Sequence, residues 1–107
     1  MYDMALLRNL RKLGTLAPSA WGAFQAFDKA AMADGAVPVK YKELMAVAVA
    51  LTTQCPYCIE AHTKRARAAG ASDAELGETI LVAAALRAGG AVAHGAHCLK
   101  DEPLQKA

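Results

Sequence analysis

With 107 residues, of which 55% are hydrophobic and 21% charged, the chain is long enough for one globular domain (residues 1–107) with its own core. The formal net charge of +2 is too small to predict binding to nucleic acid or to an anionic membrane surface. Three cysteines without a signal peptide, and no run of about 18 apolar residues, predict a cytoplasmic protein with no membrane span.

The first two predicted helices carry leucines and aromatic residues respectively. Apolar residues recur at helical spacing from Met1 to Leu16, opposite basic residues, which indicates an amphipathic helix. Ser19 can cap a second helix that runs to about Ala33. Its large apolar side chains are expected to pack in the core or an interface, and lining a substrate pocket is the alternative. They are Trp21, Phe24 and Phe27.

A third helix is predicted to open at Pro38, after an Asp34–Gly35 turn. Its run from Leu44 to Leu51 is apolar on every side, which is typical of a helix buried all round. Glu43 stands at the start of this run. A carboxylate in apolar surroundings needs a partner.

The fourth helix begins at the Cys-Pro-Tyr-Cys box of residues 55–58. Pro56 suits the first helical position, which makes Cys55 the N-cap. Residues three, four and seven apart share a helix face, so Cys55, Cys58 and His62 line one stripe. Both sulfurs lie in the first turn, where the helix dipole favours a thiolate. His62 is close enough to Cys58 to exchange a proton.

Glu43 is predicted to come close to His62. If residues 39–53 are helical and the chain reverses before the cysteine box, the two helices run antiparallel. Glu43 then lies within about one turn of His62, roughly 5.4 Å along the axis. The predicted proton relay is therefore Glu43, His62 and Cys58, and a plain salt-bridge role for Glu43 is the alternative.

The last part of the chain is predicted to contain two further helices. The cysteine helix closes at Gly70, and a capping box at 72–75 starts a fifth helix that runs towards Arg87. Gly89 and Gly90 are predicted to break or kink it, before a sixth helix over about 91–100 and a frayed tail. The expected fold class is thus all-α, with about six helices.

The sixth predicted helix carries His94, His97 and Cys98. His94 could reach the cysteine site of its own or a neighbouring subunit, and Cys98 is expected to be an inert buried thiol. A structural zinc site is one alternative for the cysteine box, with these residues or His62 as further ligands. The usual second ligand pair is missing, so we predict no metal and no cofactor.

The cysteine motif resembles that of a known family. Glu43, eleven intervening residues and the pattern C-x-x-C-x-x-x-H are similar to the core of the AhpD-like alkylhydroperoxidases, in the carboxymuconolactone decarboxylase superfamily. The resemblance extends over roughly 39–98. It implies that Cys58 is the thiolate that attacks peroxide, that Cys55 is its resolving partner, and that His62 with Glu43 is the proton relay. The same tetrapeptide occurs in glutaredoxins, but this chain offers neither their strands nor their later cis-proline.

The chain departs from that family in two respects. Tyr57 stands where the best-known peroxidases of the family have a histidine, and those enzymes carry two copies of the helical unit. The decarboxylase branch does not use a C-x-x-C pair and is disfavoured. The expected function is a thiol-dependent peroxidase that reduces alkyl hydroperoxides or hydrogen peroxide. The alternatives are a general thiol-disulfide oxidoreductase and a non-enzymatic oligomeric metal-binding protein.

The expected partners are a small peroxide substrate, a dithiol or redox-protein electron donor, and further copies of the chain. Because relatives with one copy of the unit form symmetric oligomers, the resemblance implies a trimer of dimers.

The roles of the cysteines rest on two opposing arguments. The N-cap position favours Cys55 as the more acidic thiol. His62 favours Cys58, because it lies roughly 6 Å along the axis from Cys58 and about 10.5 Å from Cys55.

Overall fold

The computed structural model describes residues 2–99 and 101, and the chain is all-helical, with 83% of it in helices and no strand in the described part. This confirms the predicted fold class. Met1, Lys100 and most of the predicted tail lie outside the described residues. The helical segments are a 3-10 helix at Met4–Lys12 (the N-terminal helix), α1 at Leu13–Leu16, α2 at Pro18–Met32, α3 at Val39–Thr53, α4 at Pro56–Ala68, α5 at Asp73–Gly95 and a 3-10 turn at Ala96–Cys98.

The helix boundaries follow local signals in the sequence. Asp3 caps the N-terminal helix, since its Oδ1 accepts a hydrogen bond from the Ala5 N–H at 2.9 Å. The second helix starts one residue before the predicted cap Ser19, because Pro18 itself occupies the first helical position. The capping box at 72–75 is present with both of its hydrogen bonds.

Gly70 ends α4 as predicted. Its φ of +98° lies in the left-handed region, where glycine avoids the steric penalty of a Cβ. The Gly70 N–H donates to the Arg67 carbonyl at 3.0 Å, and the Ala71 N–H donates to the Ala66 carbonyl at 2.9 Å. These two bonds form a Schellman motif, which turns the chain into α5.

The core lies where α3 packs against both α4 and α5. Its buried members come from all three helices and their connections. They are Leu44, Val47, Ala66, Ala71 and Leu76, with Leu51 packed against them. Lys42 ties α2 to α3, because its ammonium donates to the carbonyls of Ala31 at 2.8 Å and Ala33 at 2.5 Å.

The expectation that α3 is buried all round is wrong for the single chain. Glu43, Leu44, Val47 and Ala50 are buried, but the far side of the helix is open, with Met45 54% and Val49 60% exposed. Among the described helices, α4 and α5 pack most closely on α3, and two neighbours leave part of a helix circumference uncovered. The apolar residues on that side therefore face outwards.

The predicted end of a helix at Gly89 and Gly90 is not observed, because α5 continues through both glycines to Gly95. Each glycine costs about 1 kcal/mol of helix propensity relative to alanine, which the surrounding good helix formers can offset. The resulting stretch from Asp73 to Cys98 is long and apolar enough to cross a membrane, judged by length and composition alone. Only 11% of its most apolar window is buried inside the chain, so packing in the core does not account for its apolar character. The absence of a membrane partner therefore stays a prediction.

The single chain is extended for its length. Its radius of gyration is 19.1 Å, with extents of 63 × 36 × 34 Å. A compact chain of this length has a radius of gyration of about 13 Å. Many large apolar side chains are exposed, Leu81 and Val92 of α5 among them. The helices thus present many large apolar side chains at the surface of the single chain.

Candidate active site

The reversal between α3 and α4 places Cys55 at the start of α4. Gln54 adopts the left-handed conformation, with φ of 56° and ψ of 45°, and ends α3. The Cys55 N–H then donates to the Ala50 carbonyl at 3.1 Å. Cys55 is the N-cap and Pro56 occupies the first helical position, both as predicted.

The two cysteines of the box interact directly. The backbone N–H of Cys58 donates to Cys55 Sγ at 3.3 Å, and neither cysteine is in a disulfide. The neighbouring Cys58 thiol, followed by the Cys58 N–H, lowers the pKa of Cys55. The neighbouring Cys55 side chain, followed by burial, raises the pKa of Cys58. In the reduced pair, Cys55 therefore ionises first.

Glu43 of α3 and His62 of α4 form a close pair. His62 Nδ1 lies 2.6 Å from Glu43 Oε2, and Glu43 is only 5% exposed. The predicted approach of these residues is therefore observed. An ionised carboxylate only accepts hydrogen bonds, so Nδ1 carries the hydrogen and Nε2 is the ring nitrogen left for proton transfer.

His62 and Cys58 meet at one cavity and not in a hydrogen bond. Among the described residues, the His62 ring has its hydrogen bond with Glu43 and none with the Cys58 sulfur. Both side chains line an open cavity of about 460 Å³. Cys55 is not among its lining residues. Cys58 is thus the cysteine that a molecule in the cavity would meet, with His62 beside it.

The rest of the cavity wall comes from three helices. Ala61 and Arg65 continue the α4 stripe beyond Cys58, and Gln25 and Asp28 add polar groups from α2. The apolar part of the wall is formed by two leucines of the N-terminal helix and two aromatic residues of α2. These are Leu7, Leu10, Trp21 and Phe24.

Sequence reasoning located part of this wall. Trp21 and Phe24 line the cavity, and their lining of a substrate pocket stays a prediction. Phe24 and Phe27 are 56% and 70% exposed, so they do not pack in the core of the single chain. The contributions of Leu7, Leu10 and Arg65 were missed. The helical spacing of the leucines marks an apolar face, but it does not say which distant element that face covers.

The C-terminal histidines lie apart from this site. His94 stacks on His97 with ring centroids 5.9 Å apart, and neither lines the cysteine cavity of its own chain. Cys98 is exposed, so the expectation of a buried thiol is wrong, because the end of α5 extends beyond the helices that form the core. Within the described residues, no three metal-ligating side chains cluster in a way that could hold a metal ion.

Comparison with known proteins finds a matching family model and similar sequences. The sequence model of the Carboxymuconolactone decarboxylase family matches residues 18–101. An uncharacterized protein of the cox locus of Paracoccus denitrificans is 54% identical over 72 residues, which cover 67% of this chain and 65% of the relative. The chain therefore spans slightly less than two thirds of that relative.

Two further comparisons concern a named enzyme and a solved structure. A Mycobacterium tuberculosis protein described as an alkyl hydroperoxide reductase is 44% identical over 61 residues, 57% of this chain and 15% of that protein. The crystal structure of an apo carboxymuconolactone decarboxylase family protein from Legionella pneumophila matches with a TM-score of 0.73 and 33% identity, covering 86% of this chain and 82% of the other.

Proposed function

Since the chain belongs to the carboxymuconolactone decarboxylase family, we propose that it is a thiol-dependent peroxidase that reduces alkyl hydroperoxides or hydrogen peroxide. One observation carries the proposal. Cys58 and the Glu43-bound His62 line the same open cavity, and Cys55 lies within hydrogen-bond reach of Cys58. The partial match to an alkyl hydroperoxide reductase adds support.

The proposed reaction has two steps at the cysteine pair. The Cys58 thiolate attacks the terminal peroxide oxygen, the O–O bond breaks, and the alkoxide leaves as an alcohol after it takes a proton. Cys58 is then a sulfenic acid. The Cys55 thiol loses its proton and attacks that sulfur, the S–O bond breaks, and the departing hydroxide takes up that proton and leaves as water while the Cys55–Cys58 disulfide forms. A dithiol or a redox protein then supplies two electrons and two protons to restore the pair.

The proton steps are assigned to His62. Its Nε2 takes the Cys58 proton to form the thiolate and then gives a proton to the leaving alkoxide. Glu43 fixes the ring through Nδ1 and stabilises the imidazolium that forms, because the carboxylate is buried 2.6 Å away. The roles of Cys58 and Cys55 follow from access: Cys58 lines the cavity, and Cys55 does not.

The decisive experiment combines peroxide consumption with single-cysteine variants. With excess dithiol, the wild-type protein should consume peroxide catalytically, and Cys58→Ser should be inactive. Cys55→Ser should react once and leave a sulfenic acid on Cys58, which a dimedone-type reagent traps for mass spectrometry. Cys98→Ser, which changes an exposed thiol outside the cavity, is the matched control. A sulfenic acid on Cys55 in the Cys58→Ser protein would exchange the two roles.

A second function, thiol-disulfide exchange, is favoured by a specific observation. Cys55 has the lowered pKa and lies outside the cavity lining, as expected of a thiolate that attacks the disulfide of another protein. Reduction of a mixed-disulfide probe without any peroxide consumption would select this function. A thiol titration with and without zinc separates both from metal binding, because zinc would protect both thiols only in the metal-binding case.

We also propose that further copies of the chain are its partners. The extended shape and the many large exposed apolar residues of α3 and α5 support an oligomer, because an interface between copies would cover them. A trimer of dimers is the arrangement that the family resemblance implies.

A further inference from the structure

The N-terminal helix lies outside the family match but forms part of the cysteine cavity. The match begins at residue 18, whereas the helix spans Met4–Lys12. Leu7 and Leu10 of this helix line the cavity together with Cys58 and His62. The reacting groups therefore belong to the shared family region, and part of the wall around them is supplied by a segment that the family model does not cover.

Tyr57 connects this helix to the cysteine box. The ring of Tyr2 meets the ring of Tyr57 edge to face, with centroids 5.4 Å apart and planes at 82°. The Asp3 N–H donates to the Tyr57 hydroxyl at 3.4 Å. Asp3 is also the N-cap of the N-terminal helix. The start of the helix thus contacts Tyr57, which directly precedes Cys58 and itself lines the cavity.

The size and chemistry of the cavity indicate what it would hold. Its volume is about 460 Å³, within the range of sites for small organic ligands. A water molecule takes up about 30 Å³ in the liquid, and hydrogen peroxide, with two oxygen atoms, would still fill only a small part of that space. An apolar wall stabilises a transition state only if the substrate carries apolar groups that contact it. The leucines and aromatic rings of this wall would contribute nothing to the binding of hydrogen peroxide.

On this basis we infer that the N-terminal helix is the specificity wall of the cysteine site, and that Tyr57 is the positioning residue that holds it there. The substrate class is an organic hydroperoxide with an apolar, ring-sized body, preferred over hydrogen peroxide. This inference rests on the proposed peroxidase function. It assigns to Tyr57, which replaces the histidine of the best-known family peroxidases, a role in placing the wall.

The first test compares leucine variants of the helix. Leu10→Ala and Leu7→Ala should each lower the ratio of kcat/KM for cumene hydroperoxide to kcat/KM for hydrogen peroxide about tenfold, mainly through KM. Leu6→Ala, on the same helix but outside the cavity lining, is the matched control and should leave the ratio unchanged. Leu10→Phe keeps the helix apolar while it fills the cavity, and should also lower the ratio.

The second test removes the attachment without altering the cysteine box. Tyr2→Ala deletes one partner of the aromatic pair and should lower the same ratio about threefold, as expected for loss of an edge-to-face contact. Tyr2→Phe keeps the aromatic ring and should retain the wild-type ratio of the two kcat/KM values. A purely structural role for Tyr57 would lower kcat for both peroxides together and would leave the ratio unchanged.

A third test is independent of peroxidase activity. Reduced protein is alkylated with iodoacetamide or with N-phenylmaleimide, and the rate at each cysteine is read by peptide mass spectrometry, with exposed Cys98 as the internal reference. We expect Cys58 to prefer the aromatic reagent more than Cys98 does, and Leu10→Ala and Tyr2→Ala to reduce that preference. If Leu10→Ala and Tyr2→Ala show the same reagent preference at Cys58 as Leu6→Ala, the inference of a specificity wall is wrong, even if the protein is an active peroxidase. If the preference falls as expected but the protein has no peroxidase activity, the specificity wall is supported and the proposed function is wrong.

Discussion

Glu43→Gln is the sharpest test of the proposed relay, because glutamine can still hydrogen-bond to His62 but carries no charge. A hydrogen bond to a charged group is typically worth about 1.5–3 kcal/mol. The 2.6 Å contact and the burial of Glu43 place this pair among the stronger cases. At 1.36 kcal/mol per factor of ten, removal of the charge should slow the reaction of Cys58 with peroxide about 10- to 150-fold.

The assay is a single-turnover reaction of the reduced protein with peroxide. Trp21 is the only tryptophan of the chain and lines the same cavity as Cys58, so its fluorescence can report oxidation of Cys58 in a stopped-flow experiment. Glu78→Gln makes the same charge change at an exposed position on α5 and is the matched control. Circular dichroism checks that both variants keep the helical fold.

One result would refute the relay. If Glu43→Gln is folded and reacts at the wild-type rate with the same pH–rate profile, Glu43 contributes to structure and not to proton transfer. A slower reaction accompanied by loss of helical content would be resolved by Glu43→Asp, which keeps the charge at a shorter reach. The relay predicts more activity for the aspartate variant than for the glutamine variant.

Three further predictions concern the thiols, one turn and the assembly. Because the pKa of Cys55 is lowered and that of Cys58 raised, alkylation followed against pH should modify Cys55 first as pH rises, and Cys58→Ala should move the Cys55 profile to higher pH. Gly70→Ala should destabilise the protein by about 1–2 kcal/mol in urea unfolding, because φ is +98°. Gly77→Ala, in the second turn of α5 with open space around it, should stabilise the protein by about 0.5–1 kcal/mol. Native mass spectrometry should show oligomers at micromolar concentration, and Leu81→Lys, on the exposed face of α5, should reduce them; wild-type monomers alone would contradict the proposed assembly.

The features that the sequence predicted well are governed by local chemistry. Cys55 as N-cap, the capping box at 72–75 and the left-handed Gly70 each depend on a few neighbouring residues, so their patterns are readable without the fold. The pairing of Glu43 with His62 is a longer-range contact. It was predictable because two helices joined by a short reversal must run side by side.

The predictions that proved wrong concern which elements of the fold pack over a given residue. Whether Val49 or Cys98 is buried depends on which elements pack over them, and a pattern of apolar residues does not contain that information. The continuation of α5 through Gly89 and Gly90 was missed because a propensity cost of about 1 kcal/mol per glycine is small beside tertiary effects. The N-terminal helix was predicted as an element, but its place over the cysteine cavity was not.

Gln54 has a consequence for attempts to engineer this site. It is the one residue other than glycine with positive φ in the described chain, and it directly precedes Cys55. Gln54→Gly would relieve about 1 kcal/mol of steric cost but add about 0.4–1 kcal/mol of unfolded-state entropy, so the melting temperature should barely change. The backbone that carries the Cys55 sulfur would nevertheless gain freedom. A screen for thermostability would therefore pass this substitution as silent, while the rate of disulfide closure between Cys55 and Cys58 would reveal it.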